Sequence, residues 1–368
     1  MSRQPISSRR LIATLALAVV IILPQTAGAQ SVTKDTLLRN TVSKIIVPAY
    51  QDLAGKIHAL SDSVDDFTKA PTTDSLRKAR EAWVAASLAS RKIQWLQSGP
   101  IADRDYQASF YYAKILPGRI DEVLKASAAI NAAYIEELGA TVKGMFALEY
   151  LLFDRIEEAI REESTKSSVL ELYSRPEAAR RRQYAVALAH DLDVKAGQLV
   201  KEWTTPGDQG AAEKFTAGGQ ETLNRIVNHL AQLLEQVAEQ RINFVLQLQP
   251  PLSRQFDRIE GSRSGTSLQS AIALLHGAQK LYQGTDGEGL EGYLKGLNAP
   301  LAERSRLQFE TVIAAVQGIG APLEQVVPKN RAPVEAAYEK TRSLEVLCKT
   351  DLPSTLGVTI TFSSNDGD

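Results

Sequence analysis

The residue that most invites a chemical explanation is Glu149, which sits in "VKGMFALEYLLFD", residues Val142 to Asp154, a stretch that is apolar almost throughout. On a helix, Val142, Phe146, Glu149, Phe153, Ile156 and Ile160 recur at steps of four and three and share one stripe. That stripe is the buried face, so the spacing predicts an acid in the core. An ionised carboxylate there needs a hydrogen-bond donor, a cation, or a pKa high enough to leave it neutral. In carboxylate-bridged bundles, a Glu and a His three residues apart hold a metal together. Here the position three residues before Glu149 is Phe146, whose ring has no lone pair to offer.

Other groups could ligate. The chain has four histidines, His58, His190, His229 and His276, and only His190 has a carboxylate three residues on, Asp193. Catalytic zinc takes three protein ligands and a water, so this pair reads first as a solvated ion pair and second as a metal ligand. His276, in "ALLHGAQKLY", reads as a satisfied interfacial histidine. At the C-terminus, Asp366, Asp368 and the chain-end carboxylate crowd together, an oxygen set suited to a hard cation, or simply a solvated tail. The candidate metal ligands are therefore Glu149, His190, Asp193, Asp366 and Asp368, with iron, zinc or calcium as the candidate ion. No HExxH, GxSxG or Walker loop occurs, so no hydrolytic machinery is visible.

The elements that must position these groups are helical. "TDSLRKAREAWVAASLASRKIQWLQ", "PEAARRRQYAVALAHDLDVKAGQLVKEW" and "EKFTAGGQETLNRIVNHLAQLLEQVAEQRINFVLQL" are rich in helix formers, with apolar residues recurring at three and four. Trp83 falls on one such amphipathic stripe as packing, while "RDYQASFYYAK", Arg104 to Lys114, mixes aromatics and charges as ligand-binding loops do. Only "GVTITF", Gly357 to Phe362, has the alternation of a strand, and it predicts an ordered tail docked on a bundle. The break "TTPGDQG", Thr204 to Gly210, divides the chain into two bundle-sized parts, residues 30–205 and 206–368.

Before them stands a leader. Arg3, Arg9 and Arg10 precede the apolar run "LIATLALAVVIIL", and "AGA" at Ala27 to Ala29 offers a cleavage site, so residues 1–29 read as a secretory signal cut before Gln30. Of 42 basic and 43 acidic residues, those three arginines are the only charges in the leader, so the remainder carries about −4. A mildly acidic chain has no global pull toward nucleic acid. Cys348 is the only cysteine, which excludes an intramolecular disulfide and a thiolate metal cluster. With no further apolar run long enough to span a bilayer, the mature chain reads as periplasmic.

In order, "EAWVAASLASRKIQWLQSGPI" (Glu81 to Ile101), "GMFALEYLLFD" (Gly144 to Asp154), "SLQSAIALLHGAQKLYQG" (Ser267 to Gly284) and "LGVTITFSSNDGD" (Leu356 to Asp368) resemble the imelysin family of exported bacterial proteins. The resemblance implies an all-α fold of two helical bundles, to which the alternation of "GVTITF" adds a short extended C-terminal segment. It also implies a periplasmic or outer-membrane-associated location and a link to iron uptake; an accessory role beside an outer-membrane or periplasmic protein partner is the expectation that fits them. The family carries a metallopeptidase label and a GxHxxE signature whose His and Glu are proposed metal ligands. Gly144 and Glu149 match that signature, but Phe146 stands in the His position, which breaks the ligand pair. The expectation is a binding or accessory protein, with a metallopeptidase or a metal-free interaction protein as the alternatives.

Overall fold

Side-chain caps set where the helices start. Thr72 accepts from the Ser75 backbone N–H at 3.1 Å while Ser75 Oγ accepts from the Thr72 N–H, a reciprocal box at the head of a long amphipathic helix. Ser168 and Glu171 form the same box, and Asn131 and Asn298 cap two further helices through their side-chain oxygens. The computed structural model describes Met1 and residues 32–153, 168–208, 210–249, 255 and 258–361. Apart from Met1, the expected leader lies outside the described residues, as do Asp366 and Asp368.

Every regular element among these residues is helical, joined by turns and loops. It opens with α1 (Lys34–Asn40), α2 (Val47–Lys69), α3 (Thr73–Ile93), α4 (Pro100–Asp103), α5 (Gln107–Tyr111), α6 (Pro117–Lys125) and α7 (Ala132–Glu137). There follow α8 (Gly144–Phe153), α9 (Val169–Ser174), α10 (Ala179–Thr204), α11 (Ala211–Ala217), α12 (Gly219–Glu235) and α13 (Phe244–Gln247). The last are α14 (Ser267–Gln283), α15 (Leu290–Leu297), α16 (Ala299–Gln317), α17 (Leu323–Val326), α18 (Ala332–Lys349) and α19 (Asp351–Leu356). Two wide π-helical turns interrupt the regular pitch, at Thr41–Ile46 and at Gln236–Asn243. None of the helices in the described residues is long and apolar enough to cross a membrane.

Helix α2 packs along α3 and α10, and α8 wedges against α3, α5 and α10. Later in the chain, α12, α14, α16 and α18 pack on one another, and α14 lies against α3. That last contact is a backbone-close one: a Cβ on Gly277 of α14 would come within 2.2 Å of the Lys92 carbonyl oxygen of α3. Only glycine lets the two helices touch so nearly. One apolar core runs through both groups, and Ser31–Asp368 form one compact unit.

Two local expectations need correction. The stripe through Glu149 does not start at Val142, because Val142 ends a separate 3-10 turn (Ala140–Val142) and α8 begins at Gly144. Within α8 every residue from Gly144 to Leu152 is buried, so this helix has no polar face, and Ile156 and Ile160 lie outside the described residues. The strand-like tail pairs with no other strand among the described residues. Asn228 instead holds it like a ladder neighbour, donating to the Thr359 carbonyl at 2.9 Å and accepting from the Thr361 N–H at 2.8 Å. Gln220 donates to the Gly357 carbonyl at 3.1 Å, and Val358 and Ile360 pack on the core, so the tail is docked on a bundle.

Candidate functional site

Helix α8 is fixed from three sides before its acid is considered. Trp83 of α3, fully buried, donates its indole N–H to the Met145 carbonyl at 2.9 Å, and Arg80 Nε donates to the Leu152 carbonyl at 2.8 Å. Tyr184 of α10 donates its hydroxyl to the Val142 carbonyl just before the helix. Gly144 has φ +79°, and a Cβ there would lie 2.3 Å from the Ser109 carbonyl oxygen of α5. The glycine of the motif is thus required by backbone contact, independently of any ligand.

Glu149 is buried, and its partner is Ser264, 115 residues later. Oε1 accepts from the Ser264 hydroxyl at 2.6 Å and from the Ser264 N–H at 3.1 Å. Thr266 hydroxyl lies 2.8 Å from the same serine hydroxyl. Burial pushes the Glu149 carboxyl up to about 7, with the Ser264 bonds and nearby Arg263 opposing and Glu260 adding to the rise. Near neutral pH it therefore exchanges a proton.

A second buried group lies beside it. Glu260, on the same loop as Ser264, is bracketed by Arg91 Nη2 at 2.9 Å and Arg241 Nη2 at 2.6 Å. The Arg91 contact is off the hydrogen-bonding direction, so charge rather than bond geometry holds it. Arg91 also donates to Gln94 Oε1, and Gln94 Nε2 reaches Gln236 Oε1 at 3.1 Å. Arg241 and Gln236 belong to the π-helical turn, whose wider pitch re-aims side chains that a regular helix would turn elsewhere. Arg91 Nε and Arg241 Nε have no hydrogen-bond partner among the described residues. Burial pulls the Arg91 guanidinium below its ordinary pKa, and Glu260 pulls it back up.

Phe146 faces this charge. The Arg91 guanidinium sits over its ring at 4.9 Å, and Trp83 meets the ring edge-on at 6.1 Å. One turn further along α8, Arg263 covers the Tyr150 ring at 4.8 Å. A metal ion beside Glu149 would thus meet one carboxylate already bonded to serine, a second, Glu260, already held between two arginines, an aromatic ring, and the guanidinium groups of Arg91 and Arg263. These donors do not fit the metal implied by the GxHxxE signature. Nor do the described residues hold any group of three or more His, Cys, Asp or Glu placed to bind one.

The other sequence candidates are scattered. His190 and Asp193 do not work as a pair; each reaches across to α2, His190 Nε2 to Asp65 at 3.2 Å and Asp193 to His58 Nδ1 at 3.0 Å. His276 is half-buried on α14, and Cys348 is fully buried, its thiol pushed far up by burial. Sequence reasoning missed Arg91, Arg241, Glu260, Arg263 and Ser264. The available signal was "RIEGSRSGTS", Arg258 to Ser267, a charged, glycine-punctuated loop directly before an apolar helix.

The imelysin family model, which carries a peptidase designation, matches residues 46–347. The chain belongs to the imelysin family. It is 27% identical over 328 residues to iron-regulated protein A of Synechococcus elongatus, covering 85% of this chain and 83% of that protein. An imelysin-like protein of Psychrobacter arcticum superposes with a TM-score of 0.71 at 19% identity, over 89% of this chain and 97% of its own. A Parabacteroides distasonis protein assigned as an iron-regulated protein A precursor gives 0.72 at 15% identity, over 90% and 97%. These two share the all-α fold.

Proposed function

We propose that this imelysin-family chain is an exported, non-enzymatic binding or accessory protein of iron-regulated physiology, and that its motif site recognises rather than hydrolyses. The observation that carries the reading is Phe146, in the position where the family signature calls for a metal-binding histidine, covered at 4.9 Å by the Arg91 guanidinium. The iron link rests on the names of the relatives, iron-regulated protein A among them. Export is supported by the leader-like residues 1–29 and by the word precursor in the description of the Parabacteroides protein. Sequencing the N-terminus of protein secreted to the periplasm should give Gln30 as the first residue.

The site tests the reading through the substitution that restores the signature, Phe146→His. With Arg91 in place the expected result is no stabilisation by zinc, iron or calcium, and no chelator-sensitive cleavage of a broad peptide library by either form. A metal-dependent rise in melting temperature in the native chain, which linkage requires of any native-state ligand, or chelator-sensitive cleavage lost on Glu149→Gln, would favour the metallopeptidase reading instead. A partner in the outer membrane or periplasm is part of the same proposal. Its test is cross-linking in intact cells, with Glu149→Ala reducing the cross-linked species.

A further inference from the structure

A second site lies away from Glu149, between α7 and α10. A cavity of about 650 Å³ opens there, walled by Tyr106, Ile130, Ala133, Val186 and Val194, with Lys195 at its floor. Val194, 72% exposed, forms the outer apolar rim of this cavity, where a ligand would cover it. Lys195 is the opposite case, an ammonium only 5% exposed. Burying it is costly, and every contact that offsets the cost can be named.

Lys195 Nζ lies 2.8 Å from Asp191 Oδ2, 3.2 Å from Ser109 Oγ and 3.2 Å from Glu136 Oε2, with the Tyr106 ring centre at 5.5 Å. These contacts are unequal. Asp191 is 11% exposed and one turn before Lys195 on the same helix, so it is a fixed counter-ion. Glu136 is 65% exposed, on α7 at the cavity mouth, and an ion pair to so solvated a carboxylate is worth little. The chain's own side chain thus marks a carboxylate position on a buried ammonium, at the polar end of an apolar cavity.

We propose that this cavity binds a small amphiphilic carboxylate, whose head group replaces Glu136 on Lys195 while its apolar body lies along Ile130, Val186 and Val194. The exchange swaps one carboxylate for another at Nζ, so the ammonium never loses its charge partner. The net gain is the apolar surface covered on ligand and cavity wall. A cationic amphiphile would instead bring a second positive charge up to the Lys195 ammonium, with only the solvated Glu136 to pair it. The site shares no side chain with the Glu149 cluster, so it stands or falls separately from the function proposed above.

Isothermal titration of the mature protein with sodium octanoate, and in parallel with octylammonium chloride, tests the inference. Octanoate should bind saturably and octylammonium should not. Glu136→Gln removes the internal competitor and should tighten octanoate binding several-fold, whereas the exposed-site change Val194→Asp should weaken it at least tenfold with an unchanged melting curve. Lys195→Met should abolish binding; Val194→Asp keeps the test valid if that variant fails to fold. Octylammonium binding in preference to octanoate, weaker octanoate binding in Glu136→Gln, or no saturable heat with either the native protein or Glu136→Gln would each overturn the proposal.

Discussion

Two forces act on the Glu149 carboxyl in opposite directions, and burial outweighs its bonds to Ser264. Its folded-state pKa is about 7, above the ordinary 4.5 that it regains on unfolding. A carboxyl raised in this way adds no penalty below about pH 4.5 and progressively costs stability as pH climbs toward 7 and the native state must ionise it. Through linkage the cost reaches about 3 kcal/mol by pH 8. Glu149→Gln should therefore show a flatter stability profile, its difference from the native chain shifting in its favour between pH 4.5 and 8 in urea titrations. Parallel profiles would mean that Ser264 and the arginines hold Glu149 ionised throughout. Gly144→Ala is the harsher change at this scale. The added methyl meets the Ser109 carbonyl and the residue is held at φ +79°, so a loss of about 3–5 kcal/mol is expected, read as a lowered denaturation midpoint. That Glu149 is buried could be read from the apolar run around it, although the stripe drawn through Val142 was not the reason, since α8 starts at Gly144 and is buried on every side. Its partner could not, because Ser264 lies in a loop whose approach depends on the packing of α14 against α3, and no local pattern encodes that contact.

At the scale of elements, helices were the legible part, since composition and periodicity fix them one segment at a time. The tail was half legible. Its apolar alternation announced that it docks, but pattern alone cannot distinguish a strand partner from a side chain that imitates one. Asn228 supplies both an acceptor and a donor in the spacing of a β-ladder, also bonding the Asn224 carbonyl of its own helix at 2.8 Å. Asn228→Ala should therefore release the tail without melting α12. The expected signature is fast amide exchange at Thr361 and a stability loss of about 1–2 kcal/mol, the worth of the lost bonds. Persistent protection at Thr361 would assign the docking to Val358 and Ile360 instead. The π-helical turn at Gln236–Asn243 was illegible for a different reason. A register shift of one residue leaves no mark in composition, yet it is what presents Arg241 to Glu260.

For the whole molecule, the polar cluster is shared between the two parts that the Thr204–Gly210 break separates. Arg91, Phe146 and Glu149 come from the first, and Arg241, Glu260 and Ser264 from the second. We propose residues 30–205 and 206–368 as two bundles joined through this cluster and the α3–α14 contact. Taking an Arg–Glu–Arg triad out of water is so costly that its mutual attraction barely compensates, so its removal as a set need not destabilise the fold. Removing one member is different, because the others stay buried without their counter-charge. Glu260→Leu, which leaves Arg91 and Arg241 facing one another, should cost about 3–5 kcal/mol. The triple change Arg91→Met, Glu260→Leu, Arg241→Met should recover most of that loss in urea midpoint. It should also separate stability from recognition, since a triple variant that is as stable as the native chain but no longer cross-links its partner assigns the triad to binding. A triple variant no more stable than Glu260→Leu would show instead that the charges themselves hold the bundles together.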